Sequence, residues 1–263
     1  VTNYKVLFLD IDGTLLRPDD TIEDSTKEAI SQVQAKGVEV FLATGRPLHE
    51  IDELGKELNI HSFIGYNGAY AIYKGKDLYQ KPMNSSTVTK FLEIAKENQN
   101  EVVLYTNSKN VFTNIEAEIS TEFMHKFHLH KNEPYSPAVN NAVLGMTLVN
   151  LKKDDPALYQ ENEEEIHLSQ VNVDGMRHCY DVIQDSVNKG FGVQVVLERL
   201  GIDKESSIAF GDGMNDKEML QTVGEGFAMG NGHPDLFQYA KHKTTEVTNS
   251  GIYNGLKKLG LIN

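Results

Sequence analysis

The sequence predicts an α/β fold: a doubly wound parallel sheet interrupted by an inserted α+β domain. Three observations predict it. Short apolar runs near both ends of the chain are each followed by a turn and a helical pattern, the order that a parallel sheet with crossover helices requires. Carboxylates and hydroxyls cluster just after those runs, where open α/β sheets bind ligands. Between residues 83 and 186 the pattern changes to helices mixed with alternating strands.

The first apolar run, Val6-Leu7-Phe8-Leu9, ends in Asp10-Ile11-Asp12-Gly13-Thr14. A helix is expected over 25–36, with Ser25 and Glu28 at capping-box spacing, Ala29, Ile30 and Val33 on one face, and Gly37 as the stop. A second strand follows over 38–43, then a helix over 48–58. A strand over 63–66 turns at Asn67-Gly68 into a hairpin partner over 69–73. The pattern resumes with a helix over 192–200, a strand over 207–210, a helix over 217–223 and a strand over 226–229, so five parallel strands assemble from the two ends. The domain boundaries expected are 1–82 with 187–263 for the core and 83–186 for the insert. The acidic run at 161–165 reads as a solvated helix face.

At 263 residues and 40% hydrophobic content, the chain exceeds the size at which single cores stop growing, which favours two domains. A formal charge of -13 opposes nucleic acid and anionic membranes, both of which need basic patches. No apolar stretch approaches the roughly 20 residues of a membrane span. Cys179 is the single cysteine, so no intrachain disulfide forms, and the first residues lack a signal-peptide layout. A cytoplasmic protein is expected. Cys179 lies in an alternating segment and reads as a packed core thiol.

The residues just after each run of the core carry the chemistry. Asp10 and Asp12 follow the first strand, Thr44-Gly45-Arg46 the second, Asn67-Gly68 the third, and Gly211-Asp212-Gly213-Met214-Asn215-Asp216 the strand that begins at Ser207. Crowded carboxylates repel unless a cation sits between them or one takes a proton. Hard oxygen ligands without His or Cys in these loops suit Mg²⁺ rather than zinc, and Mg²⁺ completes its shell with water and phosphate oxygens. A phosphate ester is the natural substrate.

Other motif readings fail. The glycine of Asp10-Ile11-Asp12-Gly13 comes too early for a calcium loop, and Gly211-Asp212-Gly213 lacks the third glycine of a dinucleotide loop. His125, His128 and His130 have no accompanying Cys or regular ligand spacing and read as solvated or partner-paired. Arg46 could bind a remote group of the substrate or pair with a neighbouring acid, and Asn67 is either a turn residue or part of the site.

The strings Asp10-Ile11-Asp12-Gly13-Thr14, Ala43-Thr44-Gly45-Arg46, Lys189-Gly190 and Gly211-Asp212-Gly213-Met214-Asn215-Asp216 resemble the four ordered motifs of the haloacid-dehalogenase (HAD) superfamily. Asn67-Gly68-Ala69 and Ala228-Met229-Gly230-Asn231 narrow the resemblance to its Cof-type phosphatases. The resemblance implies a HAD-like core with an inserted cap that closes over the substrate and sets specificity. It implies Asp10 as the nucleophile that forms an aspartyl-phosphate, and Asp12 as general acid and base. Thr44, the Gly45 amide and Lys189 would hold phosphoryl oxygens, assisted by the Ile11 amide and Asn215. Asp10, the Asp12 carbonyl and Asp212 would bind Mg²⁺, with Asp216 orienting Lys189 or a metal-bound water. The implied substrate is a small phosphorylated metabolite: a sugar phosphate first, then pyridoxal phosphate, flavin mononucleotide or another nucleotide. A phosphotransferase or mutase using the same intermediate, and a non-catalytic phospho-metabolite sensor, are the alternatives.

Overall fold

The computed structural model describes residues 3–160 and 165–263, so most of the acidic run at 161–165 lies outside the described residues. The chain begins with β1 (Val6–Leu9), α1 (Asp24–Ala35), β2 (Glu39–Ala43), α2 (Asp52–Glu57), β3 (Ser62–Gly65), β4 (Tyr70–Tyr73) and β5 (Lys76–Gln80). Next come α3 (Ser85–Asn98), β6 (Glu101–Tyr105), β7 (Asn110–Phe112), α4 (Glu118–Lys126) and β8 (Asn132–Pro134). They are followed by β9 (Gly145–Val149), α5 (Asp155–Gln160), β10 (Ile166–Gln170) and β11 (Tyr180–Gln184). The chain closes with α6 (Lys189–Leu200), β12 (Ser207–Gly211), α7 (Lys217–Thr222), β13 (Glu225–Ala228), β14 (His242–Lys243) and α8 (Gly251–Lys258).

Two compact units result: residues 1–46, 52–79 and 188–263 in one, and 47–51 with 80–187 in the other. In the first unit the strand order is β14-β13-β12-β1-β2-β3-β4-β5. All pairs from β14 to β3 are parallel, and the β3–β4 hairpin turns antiparallel. Every residue of β1 is fully buried, because both sheet faces are covered. Val6 and Phe8 point into a core with Val193 and Val196 of α6 and Met219 and Leu220 of α7. Leu7 and Leu9 take the opposite face by strand alternation. There α8 brings Gly255 against the stacked Phe210 and Phe227 rings, 4.6 Å apart. The sheet is thus doubly wound, as the sequence predicts.

In the second unit the strand order is β10-β11-β9-β6-β7-β8, antiparallel apart from β7–β8. One face packs Val88, Phe91 and Ala95 of α3 and Tyr159 of α5 on Val102, Leu104 and Leu148. The opposite face packs Phe123 of α4 with Val103, Phe112, Val149 and Cys179. This is the inserted α+β domain. No helix among the described residues is long and apolar enough to cross a membrane.

Several local expectations change. Helix α1 is N-capped by Glu23 with extended backbone, and the Ser25/Glu28 capping box does not form. The Ser25 hydroxyl instead donates to Glu23, whose carboxylate also accepts from Ser250 N, while Glu28 accepts from Gln32. The helix expected over 48–58 is split into a 3₁₀ turn, Leu48–Glu50, and α2. The reason is that 47–51 belongs to the second unit: His49 Nε2 lies 2.8 Å from Asn110 Oδ1, and Glu50 accepts from Asn110 Nδ2 and His130 N. The parallel strands number six rather than five, because β14 is a two-residue polar strand without an apolar run. Helix α6 begins at Lys189, three residues before the apolar pattern does, because the Asn188 side chain caps it by accepting from Phe191 N. Tyr79 packs edge-on against Phe191, which sets the unit boundary at 79.

Cys179 is fully buried, and desolvation pushes its thiol up to about 12. It will therefore resist thiolate-directed reagents at neutral pH. Titration with a disulfide reagent should find no rapidly reacting thiol in native protein and one in denaturant; rapid native labelling would contradict this packing.

Candidate active site

Parallel register sets the site. Leu9 pairs with Leu42 on one side and Phe210 on the other, so Asp10, Ala43-Thr44 and Gly211-Asp212 leave the sheet at one edge. Asp10 continues β1, its amide donating to Phe210 O at 3.1 Å. Its carboxylate accepts from Lys189 Nζ at 2.5 Å, and Lys189 also donates to Asp216 Oδ1 at 2.7 Å. Lys189 and Asp216 are fully buried and Asp10 is nearly so. Asp216 Oδ2 accepts from the amides of Asp212 and Gly213, both at 3.0 Å, which commits both of its oxygens. Asp212 accepts from Thr14 Oγ1 at 3.1 Å.

Gly13 makes this approach possible. Its φ is +83°, and a Cβ there would fall 2.3 Å from Asp212 Oδ2. Asn231 secures the same turn: its Nδ2 donates to Gly13 O and its Oδ1 accepts from Val247 N, both at 2.8 Å.

Electrostatically the cluster is short of positive charge. Three carboxylates, Asp10, Asp212 and Asp216, meet around one ammonium. Burial holds the Asp10 carboxyl well above the usual carboxylate range, and the neighbouring Asp216 and Asp212 add to the effect, against the pull of Lys189. Burial followed by Asp216 raises Asp212 in the same way. Burial alone would lower the Lys189 ammonium, but the charges of Asp10 and Asp216 outweigh it and hold the ammonium above its ordinary value. A field that favours protonation of carboxylates also favours a cation. Asp10, Asp212 and Asp216 each offer an oxygen within 4.8 Å of the others. Since Asp216 is committed elsewhere, Asp10 and Asp212 are the carboxylates that fit a small oxygen-seeking divalent ion.

The second loop stands beside this cluster in the sheet. Thr44 is buried, its amide donates to Ile64 O, and its Oγ1 accepts from Arg46 N at 3.0 Å. That arrangement leaves the hydroxyl proton of Thr44 free to point at an acceptor. Gly45 and Arg46 are exposed. Of the two readings for Arg46, the structure shows the paired acid: Nε donates to Asp12 Oδ2 at 3.0 Å and Nη2 to Asp12 Oδ1. The Asp12 side chain is thus engaged with Arg46, apart from the Asp10–Asp212–Asp216 group. Ile11 is fully buried as a side chain, and Asn215 is exposed in a 3₁₀ turn over Gly213. His125, His128 and His130 form no such group among the described residues; the His130 amide instead donates to Glu50.

Thr14, Asn231 and the packing of Asn67 on Gly45 carry roles that sequence reasoning did not assign. All three sit inside or next to the recurring strings, and that proximity was the available signal.

Replacing Lys189 with Met should expose the cost of the cluster. Two buried carboxylates would lose their counter-charge, so urea unfolding at pH 8 should show destabilisation of about 3–5 kcal/mol. The deficit should shrink as pH falls, because the Asp10 carboxyl, raised in the folded state, takes up a proton more readily there than in the unfolded chain. A deficit constant between pH 8 and 5 would contradict this.

The sequence model of the haloacid dehalogenase-like hydrolase family matches residues 7–256. A Bacillus subtilis (strain 168) protein named "Putative phosphatase YkrA" is 30% identical over 98% of both chains. The 5-amino-6-(5-phospho-D-ribitylamino)uracil phosphatase YitU of the same organism is 28% identical, again over 98% of both. Among solved structures, a hypothetical protein from Geobacillus kaustophilus HTA426 superposes with a TM-score of 0.89 at 32% identity, covering 98% of this chain and 100% of its own. The HAD subclass IIB sugar phosphatase BT4131 gives 0.81 at 25% identity, with the same coverage. The match of sequence and fold across nearly the whole length means that this chain belongs to the haloacid dehalogenase-like hydrolase family, as a phosphatase.

Proposed function

We propose that this phosphatase hydrolyses small phosphate monoesters through an aspartyl-phosphate on Asp10 and depends on Mg²⁺. The observation that carries the reading is the division of labour among the acids. Asp10 is locked in the charged cluster by Lys189, while the carboxylate of Asp12, two residues on, stands apart on Arg46. In this reading one carboxylate attacks and the other moves protons.

In the first step a carboxylate oxygen of Asp10 attacks phosphorus in line, the ester P–O bond breaks, and Asp12 delivers a proton to the departing alkoxide. In the second, Asp12 takes a proton from water as it attacks the acyl phosphate, releasing inorganic phosphate and restoring Asp10. Lys189, the Thr44 hydroxyl and the Gly45 amide hold phosphoryl oxygens, with the Ile11 amide and Asn215 assisting. Asp10, Asp212 and the Asp12 carbonyl would hold Mg²⁺, and Asp216 orients Lys189. The ion would supply charge neutralisation between nucleophile and phosphoryl group when bound.

Sugar and polyol phosphates are the substrate class we favour. BT4131 is named as a sugar phosphatase, and YitU as a phosphatase of a ribityl phosphate. The test is phosphate release from a panel of sugar phosphates, ribitol phosphate, pyridoxal phosphate, flavin mononucleotide and nucleotides. Turnover should require Mg²⁺, vanish with chelator, return on readdition, and be absent in Asp10→Asn. Full activity of Asp10→Asn would sink the intermediate; phosphate appearing on an added sugar instead of in solution would favour the transferase.

Arg46 orients Asp12 in this scheme through two parallel hydrogen bonds. Arg46→Ala should lower kcat on alkyl phosphates by up to about 100-fold, the low end of what general acid help contributes, because Asp12 itself remains. It should cost much less on p-nitrophenyl phosphate, whose leaving group needs no proton. Equal losses on both would assign Arg46 to phosphate binding.

A further inference from the structure

The turn joining β3 to β4 is built at a cost that an ordinary hairpin does not bear. Three successive residues have left-handed backbone: Tyr66 at φ 53°, Asn67 at 51° and Gly68 at 105°. For residues with a Cβ this region is unfavourable, about 1–3 kcal/mol each, with Asn at the low end. Within the same turn, the buried Oδ1 of Asn67 has no hydrogen-bond partner among the described residues. An unpaired buried acceptor costs about 1–3 kcal/mol more.

What the turn touches explains why it is kept. The amides of Tyr66 and Asn67 donate to Arg46 O at 3.3 Å and Thr44 O at 3.1 Å, the carbonyls on either side of Gly45. The Asn67 carboxamide packs against Gly45: a Cβ on Gly45 would meet Oδ1 at 3.0 Å and Nδ2 at 3.2 Å. On its other side the turn meets the start of α6. A Cβ on Gly68 would fall 2.1 Å from the carbonyl oxygen of Asn188, the residue that caps the helix begun by Lys189. Tyr79 fixes this end by donating its hydroxyl to Gly68 O at 2.5 Å. One short turn therefore spans the gap between the Thr44-Gly45-Arg46 loop and the lysine helix.

We propose that Tyr66-Asn67-Gly68 is a strained brace that sets the spacing between the phosphoryl-binding loop and Lys189, with Asn67 as a positioning residue for the Gly45 amide. The proposal rests on reading Thr44-Gly45-Arg46 as that loop. Asn67 touches no reacting atom; it presses on the group that would. Its cost is borne by the folded state and its return is geometry at the site, where a displacement near 1 Å can cost about a hundredfold in rate.

This gives stability and activity opposite signs. Asn67→Gly keeps the left-handed backbone, relieves its strain and removes the orphaned oxygen, so the melting temperature should hold or rise. Its kcat should fall on the order of ten- to a hundredfold. Inhibition by inorganic phosphate should weaken, because the Asn67 side chain no longer backs Gly45, although the backbone bond to Thr44 O remains. Asn59→Gly is the control: Asn59 is also left-handed, at φ 52°, but lies exposed at another turn, so its kcat should not change. Unaltered kcat in Asn67→Gly, or a loss that merely follows a lower melting temperature or failure to fold, would overturn the brace. If wild-type protein neither turns over phosphate esters nor binds inorganic phosphate, the reading of the loop itself fails, and the brace with it.

Discussion

The ammonium of Lys189, buried between Asp10 and Asp216, is the contact on which the rest of this structure depends. An isolated buried charge costs several kcal/mol, and a buried pair breaks even only with good geometry and further hydrogen bonds. Here those are present: Asp216 takes two backbone amides as well as the lysine, and Asp10 extends the central strand of the parallel sheet. The cluster ties the start of α6 to the ends of β1 and β12, so the charges that would do chemistry also hold three elements of the fold. A lysine is an unfavourable first residue for a helix, whose N-terminus already carries partial positive charge. The two aspartates are the reason it is tolerated.

Around that fixed centre the exposed groups are held differently. The Arg46–Asp12 pair is open to solvent on both sides, and such pairs are worth about 0–1 kcal/mol. It can exchange partners at little cost. A nucleophile gains from being immobile, whereas a group that gives and then takes a proton must meet an alkoxide and later a water at nearby positions. Under the proposed mechanism, the separation of a buried acid cluster from an exposed acid pair would meet these two demands with residues only two positions apart.

Much of the first unit was legible because its strands are buried on both faces. Val6-Leu7-Phe8-Leu9 has no polar residue to spare, and a parallel sheet requires its chemistry to follow such runs. Less legible were features that answer to distant partners. Ser25 and Glu28 have capping-box spacing, yet Glu23 became the cap because Ser25 and the Ser250 amide both reach it from different directions. His49 and Glu50 left the expected helix because Asn110 and His130, more than 60 residues away, offer hydrogen bonds. The polar edge strand β14 is defined by its pairing with β13, without an apolar run of its own.

By itself the sequence determined the class of the fold, the insert and the identity of the charged groups, since these depend on local pattern and on residue type. Tertiary structure decided which acid meets which base. Nothing local indicates that Arg46 would turn to Asp12 rather than toward a ligand, that Asp216 would spend both oxygens on Lys189 and two amides, or that Asn67 would be pressed against Gly45. Those outcomes are set by competition among partners brought together from separate strands, and such competition depends on ångström-scale distances that residue order does not contain.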